Sequence, residues 1–353
     1  MPMKTSAPPA LTAYAVALAL PTIGALSLFG GGWWTFSLSF LAFVIVPLVE
    51  VVFPPRRDTA DAETYKSRAR DPHFTQLLHL LAWSVFAGLA VYLWRMTGAE
   101  LTLLERIGMT ASTGTLLGAG GIVVAHELGH RRRALDRGVA QALLHASWYS
   151  HFYVEHNEGH HYNVATPHDA ATARLGEGFW LYLPRVVFQT FTSALRTGRQ
   201  MALRQGRSGW GVANPTVRMV CVQALLAVVC AFALGWIGLA YWFLVGLVGI
   251  LHLELVDYIE HYGLSRARLA DGSYEPVAPR HSWNSDHLFG RLLLFELPRH
   301  SDHHAQAARP YQALRSVDGA PQLPFGYPAM MILALLPPVW KRIMDPRCQA
   351  ALA

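Results

Sequence analysis

Residues Ile107–Arg131 read IGMTASTGTLLGAGGIVVAHELGHR and join an apolar segment to two histidines. The apolar part ends at Val124, carries no charged side chain, and is about as long as a bilayer crossing requires. His126 and His130 follow at once, four residues apart, which places both imidazoles on one face of a helix. We therefore expect a membrane-spanning helix whose end presents two potential metal ligands.

Membrane insertion agrees with the composition of the whole chain. Of its 353 residues, 52% are hydrophobic and 15% are charged, whereas about a quarter of the residues in soluble domains are charged. Its three cysteines include no CxxC pair, so the chain cannot build a thiolate iron site or an iron–sulfur cluster of its own. The composition predicts a polytopic membrane protein, and any electron carrier must be a separate molecule.

Hydropathy predicts six membrane spans within one integral-membrane domain that covers residues 1–353. A cleaved signal peptide at the first segment is the less favoured alternative, because no strongly basic flank precedes that segment. A further apolar stretch, Tyr327–Trp340, is interrupted by prolines and is expected to lie at the interface or to pack against the bundle. The predicted spans are residues 11–29, 33–53, 77–96, 107–124, 217–234 and 236–256.

Charge predicts the orientation of this all-α bundle. With six spans both termini lie on one side, and only Arg95 and Arg106 fall on the other side. The positive-inside rule makes the arginine-rich side cytoplasmic. The long polar segments 125–216 and 257–353 would then form a cytoplasmic helical cap, in which Gly178–Leu195 is amphipathic enough to lie at the interface.

Two more histidine clusters and one single histidine accompany the first pair. Residues 155–161 read EHNEGHH and residues 299–304 read RHSDHH, so each cluster can direct two or three ring nitrogens towards one point. His261, taken alone, would more often be a hydrogen-bonded histidine than a ligand. Neutral histidines clustered at the mouth of a bundle cost desolvation energy unless a metal satisfies them. The nine histidines concerned are His126, His130, His156, His160, His161, His261, His300, His303 and His304.

The number of these histidines favours two metal ions over one. A structural zinc site needs four ligands, and nine are present here. Imidazole suits Zn, Cu, Fe and Ni, so the ligand type leaves the metal open. His126 and His130 also match the HExxH pattern of zinc proteases, but those enzymes lack the later clusters. A metal transporter or sensor is the alternative from another functional class, and its ligands would follow a path through the bundle instead of gathering on one side.

Carboxylates beside the histidines are candidates for groups that accept the second ring N–H and fix the tautomer. We expect most of Glu127, Glu155, Glu158, Glu260 and Asp302 to act in this way, above all Glu127, Glu260 and Asp302. A solvated charge is the competing interpretation, and it is strongest for Glu158. The other histidines, which we expect to be structural or on the surface, are His73, His79, His145, His151, His168, His252, His281 and His287.

Four motifs together resemble those of the membrane-bound alkane 1-monooxygenases. They are HELGHR, EHNEGHH, IEHYGL around His261, and RHSDHH, and they lie within a similarity that runs from about Leu77 to about Tyr327. The resemblance implies six membrane helices and a cytoplasmic centre of two non-haem iron ions, with the nine histidines as ligands. Asp257 departs from the family pattern, in which asparagine is usual, and adds a carboxyl group near His261.

The resemblance also implies a reaction and its partners. It predicts terminal hydroxylation of n-alkanes to 1-alkanols in the bacterial inner membrane, with O2 and with two electrons from rubredoxin, which a rubredoxin reductase reduces in turn. Xylene-type methyl hydroxylation and the desaturation or hydroxylation of acyl chains are the alternatives within the same histidine-box group. Nothing in the sequence indicates a nucleic-acid partner.

An alkane has no polar group to bind, so terminal selectivity requires a narrow apolar channel. We expect spans two, three and four to form its walls, and substrate to reach it from the lipid. The aromatic residues Trp33, Trp34, Phe40 and Phe43 are candidates to line it, with lipid anchoring as the other role of the two tryptophans. Residues 131–133, three consecutive arginines, are candidates to dock an acidic rubredoxin.

Overall fold

The protein is almost entirely helical in the computed structural model, which describes residues 5–352. Five helices are long and apolar enough to span a membrane: α1 (Leu11–Phe29), α2 (Gly32–Val52), α4 (Pro72–Gly98), α5 (Leu103–Gly129) and α9 (Pro215–His261). The other helices are α3 (Ala62–Arg70), α6 (Ala134–Ala146), α7 (residues 152–163), α8 (Phe179–Arg204), α10 (Leu288–Leu293), α11 (His300–Ala305), α12 (Tyr327–Ala334) and α13 (Pro337–Leu352). Outside these helices, 3₁₀ turns lie at Gly211–Ala213, Pro279–His281 and Tyr311–Ala313. One parallel pair of two-residue strands joins β1 (Thr5–Ser6) to β2 (Arg57–Asp58). The predicted all-α, membrane-type fold is confirmed.

Local capping explains where the spans begin. The carboxylate of Asp71 accepts a hydrogen bond from the backbone N–H of His73 at the start of α4, which opens with a proline. Thr102 and Glu105 form a capping box at the start of α5. From there α5 continues past Val124 without a break, so that the first histidine pair extends a membrane helix as predicted.

The fifth and sixth predicted spans form one 47-residue helix, α9, broken at Gly235. Gly235 has φ 70° and ψ 178°, a conformation that is essentially restricted to glycine. On one side of this break Gln223 contacts the His145 ring at 3.0 Å, and on the other side Trp242 donates to the carbonyl of Ala146 at 2.7 Å. In a straight helix Gln223 and Trp242 would lie about 28 Å apart. The two halves therefore fold back side by side, whereas the count of six spans stays a prediction.

Two other predicted segments have clear counterparts. The apolar, proline-rich stretch near the C-terminus forms two short helices, α12 and α13, and neither is among the helices that could span a membrane. The amphipathic stretch predicted at Gly178–Leu195 begins α8, which continues to Arg204. Its alternation of buried and exposed residues fits a helix that packs on one face only.

A buried ionic network ties the first third of the chain to the last. Asp58 accepts hydrogen bonds from Arg291, at 2.6 and 3.0 Å, and from Arg299, at 2.7 Å. Glu296 binds Arg291 through Nε at 2.7 Å and accepts from the Tyr14 hydroxyl of α1 at 2.6 Å. All five side chains are shielded from solvent. Removing one member of such a network would leave an uncompensated buried charge, so the paired arrangement is strongly favoured. The network therefore fixes the segment that leads into the third histidine cluster.

The pKa of Glu296 reflects these partners. Burial alone would raise the pKa of this carboxyl, but the guanidinium groups of Arg291 and Arg299 outweigh burial and lower the pKa to about 2. Glu296 is therefore ionised at neutral pH, and the pairing that it contributes is lost only as the pH falls below the usual glutamate range towards 2.

We expect Gly235→Ala to destabilise the protein by about 1–3 kcal/mol, because alanine does not adopt the backbone conformation at this break. The measurement is the unfolding temperature of the detergent-purified protein. Gly138→Ala is the matched control: Gly138 is exposed within α6 and has open space around its Cα, so alanine there is expected to be neutral or stabilising. Equal melting temperatures for Gly235→Ala and the wild type would contradict this account of the break.

Candidate metal centre

The nine predicted histidines converge in two groups. In each group one ring nitrogen per residue lies within 4.8 Å of all the others. The larger group comprises His126, His130, His156, His161 and His303, and the smaller group comprises His160, His261, His300 and His304. Each group draws on at least three helices, so that neither is the product of local spacing alone.

The five-histidine group has the spacing of ligands around one ion. The Nε2 atoms of His126 and His303 are 3.0 Å apart, and those of His130 and His156 are 3.1 Å apart. His161 Nε2 lies 3.0 Å from that of His156 and 3.1 Å from that of His303. Bonds of about 2.1 Å at right angles to one another would separate adjacent nitrogens by about 3.0 Å. The group therefore fits an imidazole-bound ion without rearrangement.

The four-histidine group repeats this geometry beside the first. His300 Nε2 lies 3.0 Å from His261 Nε2 and 2.9 Å from His304 Nε2. The ring of His160 lies 4.8 Å from that of His261 between centroids, and its buried Nε2 has no hydrogen-bond partner. His160 and His161 are consecutive in the chain yet belong to different groups, so the two ion positions are neighbours. A π-helical turn at His156–His160 within α7 sets these two rings apart.

Burial favours the neutral form of these imidazoles except at His160, where burial lowers the pKa but the Asp169 carboxylate outweighs it and raises the pKa. For His156, His303 and His304, removal from water lowers the pKa well below the usual histidine value, and the neighbouring imidazoles lower it further. Neutral histidine is the form that binds metals, because one ring nitrogen then offers a lone pair. Two neutral ring nitrogens can form one hydrogen bond with each other. Five ring nitrogens that converge on one point cannot all find a hydrogen-bond partner among themselves. The donor set and its burial thus fit two metal ions.

Asp169 fixes the tautomer of one of these histidines. Both of its carboxylate oxygens lie 3.1 Å from Nδ1 of His160, and one also accepts from the Thr172 hydroxyl at 2.6 Å. Burial would raise the pKa of the Asp169 carboxyl, but His160 lowers it, so that the group stays ionised. An Nδ1–H bound to a carboxylate leaves Nε2 free to bind a metal. Asp169 was not among the predicted residues, because it lies nine residues after His160 in a turn without any helical spacing to signal the contact.

Known proteins resemble this chain over most of its length. The fatty acid desaturase family profile matches residues 106–334. Alkane 1-monooxygenase 1 of Pseudomonas aeruginosa is 40% identical over 320 residues, which cover 90% of this chain and 84% of the relative. Alkane 1-monooxygenase of Pseudomonas putida is 34% identical over 331 residues, with 93% and 82% covered. The chain belongs to the alkane 1-monooxygenase family. A more distant relative is the hydroxylase component of a xylene/toluene monooxygenase of Pseudomonas putida, 26% identical over 333 residues, with 91% of this chain and 85% of the relative covered.

Among the carboxylates predicted to support the histidines of this family member, Glu260 lies nearest to a ring. One of its oxygens is 3.3 Å from His300 Nε2, and the other accepts from the hydroxyl of Tyr327 at 2.9 Å. The contact is with the nitrogen that faces the four-histidine group, not with the far nitrogen as expected. Glu260 is thus placed beside the ion position itself.

Glu127 and Asp302, which we expected to support histidines, have arginines as their side-chain partners. Glu127 accepts from Arg131 at 2.6 Å and from the backbone N–H of Tyr311 at 3.2 Å. Asp302 pairs with Arg309 and accepts from a backbone N–H in the loop after it. Within residues 5–352 neither carboxylate makes a hydrogen bond to one of the nine histidines. A guanidinium is a stronger partner for an ionised carboxylate than a neutral ring N–H. Arg131 belongs to the first histidine motif itself, four residues after Glu127, whereas Arg309 lies beyond the third cluster.

The remaining acidic candidates differ in burial. Glu155 is buried beneath the second cluster, where burial first and then the charge of Asp169 raise its pKa to about 8. Glu158 is exposed, in agreement with the solvated alternative. Asp257, the departure from the family pattern, is buried and lines a cavity next to Glu260.

An apolar cavity leads from the histidines into the bundle. It extends from His126 and His300 to Leu20 of α1, Phe43 of α2 and Thr115 of α5. Helices α9, α10 and α12 complete the wall. Of the three spans predicted to form it, α2 and α5 do so, whereas α4 contributes no lining residue; α1 takes that place.

Two π-helical turns shape the membrane part of this cavity. Leu41–Ile45 in α2 and Leu116–Ile122 in α5 both leave regular α-helical geometry, and residues from both turns line the wall. Phe43 is the one predicted aromatic that lines the cavity. Trp33, Trp34 and Phe40 are exposed on the outer surface of the helices instead, which for the tryptophans agrees with contact with lipid.

We expect Asp169→Asn to weaken metal binding about 10- to 100-fold, because an amide no longer holds His160 in the tautomer that presents Nε2. Metal retained after dialysis against graded chelator concentrations measures this effect. Glu158→Gln removes an exposed carboxylate from the same segment and is the control. Equal retention by both variants and the wild type would rule out this role of Asp169.

Proposed function

We propose that this protein hydroxylates the terminal methyl group of n-alkanes at a centre of two non-haem iron ions. The balanced reaction is RCH3 + O2 + 2 e⁻ + 2 H⁺ → RCH2OH + H2O. The observation that carries the proposal is an apolar cavity that ends at two adjoining all-histidine groups. Its relatives named alkane 1-monooxygenase favour alkanes as the substrate class.

The two histidine groups would each hold one ion. When bound, the irons would supply the activation of O2 that attack on an unactivated C–H bond requires. The protein's part is to keep the ligating nitrogens neutral and aligned and to exclude water from the reacting end. Residues that surround this end on the cavity side include Val123, Leu293, Leu294 and Leu297, all buried and apolar.

Terminal selectivity would come from the shape of the cavity. From His126 to Thr115 the cavity follows α5 for eleven residues, about 16 Å of helix. A hydrocarbon chain lying along this path presents its end, not its middle, to the histidines. Because the wall offers almost only dispersion contacts, alignment of the chain and not a polar contact would select the methyl group.

Electrons would arrive from reduced rubredoxin on the side of the protein that carries the histidines. The positive-inside rule makes this the cytoplasmic side of a bacterial inner membrane. Arg132 and Arg133 are exposed and follow His130 closely, whereas Arg131 is engaged by Glu127. Of the three arginines, Arg132 and Arg133 therefore remain as the residues that would attract an acidic partner.

Two alternatives lie within the same chemistry, and a third is disfavoured. The xylene/toluene monooxygenase relative favours attack on an aromatic methyl group, and the desaturase family match favours acyl chains. A metal transporter would place its ligands along a path through the bundle. The nine histidines gather in two adjoining groups instead, so that no such path is built from them.

Product identification with the purified, iron-loaded protein tests the proposal. Given rubredoxin, rubredoxin reductase and O2, we expect octane or hexadecane to give the 1-alkanol, and xylene or an acyl thioester to give less product. His126→Ala is expected to abolish hydroxylation and to lower bound iron by about half, because it removes one ligand of the five-histidine group.

The control for that variant is His73→Ala, which removes an exposed histidine at the start of α4. It is expected to retain both iron and activity. Full activity in His126→Ala would remove the first cluster from the site, and a preference for xylene or the acyl thioester would replace the alkane assignment.

Charge reversal tests the docking surface. We expect Arg132→Glu with Arg133→Glu to raise the rubredoxin KM about tenfold and to flatten its dependence on ionic strength, because the attraction of an acidic partner is lost. Arg204→Glu with Arg207→Glu makes the same change in net charge at the exposed end of α8 and is the control. The same KM in both double variants would place docking elsewhere.

A further inference from the structure

The wall of the apolar cavity contains one histidine that does not belong to the metal groups. His252 lies in α9, nine residues before His261, which places it about 13 Å further along the helix from the metal end. From the sequence, His252 was expected to be structural or on the surface. A polar side chain at this depth in a membrane helix is costly and indicates a functional role by default.

The ring of His252 is held in one position. It stacks on Phe43 of α2, with ring centroids 5.2 Å apart and planes 26° apart. Gly118 of α5 faces its base, where a Cβ would come within 2.8 Å of the His252 Cβ. Both neighbours also line the cavity, so the three helices fix the ring at the wall.

The hydrogen bond of His252 defines what the ring can recognise. Its Nδ1 lies 2.7 Å from the carbonyl oxygen of Val248, which can only accept, so Nδ1 carries the proton. In the neutral ring Nε2 is then an acceptor, and it makes no hydrogen bond to any residue in the described range 5–352. Such a nitrogen binds a hydroxyl group, and it cannot bind the carbonyl oxygen of an ester or ketone.

The other hydroxyl-binding candidate at this end of the cavity is already engaged. Thr115 donates to the carbonyl of Ala111 at 3.0 Å and contacts the hydroxyl of Ser39 at 3.3 Å. His252 is therefore the group with an unused acceptor. Glu260 and His252, both in the wall, lie about 12 Å apart along α9, and a staggered carbon chain of that length has about ten carbons.

We propose that the cavity also binds primary alkanols of about ten carbons with the hydroxyl group at His252 and the methyl group at the metal end, and that the protein converts them to α,ω-diols. This inference rests on the proposed function. The step is HO(CH2)9CH3 + O2 + 2 e⁻ + 2 H⁺ → HO(CH2)10OH + H2O, with the same electron-carrier protein as reductant. One C–H bond of the methyl group breaks, and one C–O bond forms there.

The binding direction decides the product, which gives an internal measure of the His252 contact. An alkanol bound with its methyl group at the metal end gives decane-1,10-diol. The same alkanol bound the other way round would be oxidised at the carbinol carbon, giving the hydrate of decanal and, after loss of water, decanal. The ratio of diol to decanal is independent of how much of the protein is folded or loaded with metal.

The test uses 1-decanol and n-decane with the iron-loaded protein, its electron carrier and O2. We expect the wild type to form mainly the diol from 1-decanol. His252→Leu is expected to lower the diol-to-decanal ratio about five- to tenfold, the effect of one hydrogen bond, while the rate with n-decane changes less. His252→Gln keeps an acceptor oxygen and is expected to preserve most of the ratio. Equilibrium binding of 1-decanol to the unreduced protein should weaken in His252→Leu by a similar factor.

Three results would overturn the proposal. They are decanal without diol from the wild type, an unchanged ratio in His252→Leu, and a shift of the ratio in Thr115→Val in place of His252→Leu. Hydroxylation of n-decane by the wild type reports separately on the proposed function. If n-decane gives 1-decanol but these ratios fail, the role of His252 is wrong and the proposed function stands; if n-decane is not hydroxylated, both fall.

Discussion

Nine imidazole nitrogens gathered at one end of a helical bundle, mostly out of reach of water, are the constraint on which the rest of this structure depends. Unsatisfied, such a cluster would cost several kcal/mol for its buried polar atoms. Metal ions that bind the ring nitrogens would offset this free-energy cost. The ions can bind only if several helices meet in one arrangement. The capped start of α5, the turn at Gly235 and the ionic network around Asp58 each fix one part of that arrangement.

The two ends of the cavity are lined by different kinds of side chain. At the metal end, charged and polar groups such as Asp169 and Glu260 are paired and held still. Along the membrane part the wall is almost wholly apolar, and its shape is set by two π-helical turns. A substrate without polar groups is thus oriented by shape, and chemistry is confined to the place where the ligands converge.

Much of this arrangement could be predicted from sequence, and the exceptions have a common physical cause. Histidines four apart on a helix, apolar runs of membrane length and the gap at residue 235 between the fifth and sixth predicted spans are local signals, and each led to the observed element. Contacts made through turns and loops carry no such signal. Asp169 reaches His160 through a turn, and Arg309 reaches Asp302 from the loop after α11. The pair of Arg131 and Glu127 is different, because its spacing of four residues is visible in the sequence. Likewise, nothing near His252 in the chain reveals that its ring stacks on Phe43 in the wall of a cavity.

The network around Asp58 also constrains how the protein is made. Asp58 is separated from Arg291 by 233 residues, and its other partner Arg299 immediately precedes the third histidine cluster. During synthesis the carboxylate of Asp58 therefore stays unpaired with these arginines until nearly the whole polypeptide has left the ribosome. Metal binding by all nine histidines can then be completed only late in biogenesis, after the final helices have docked.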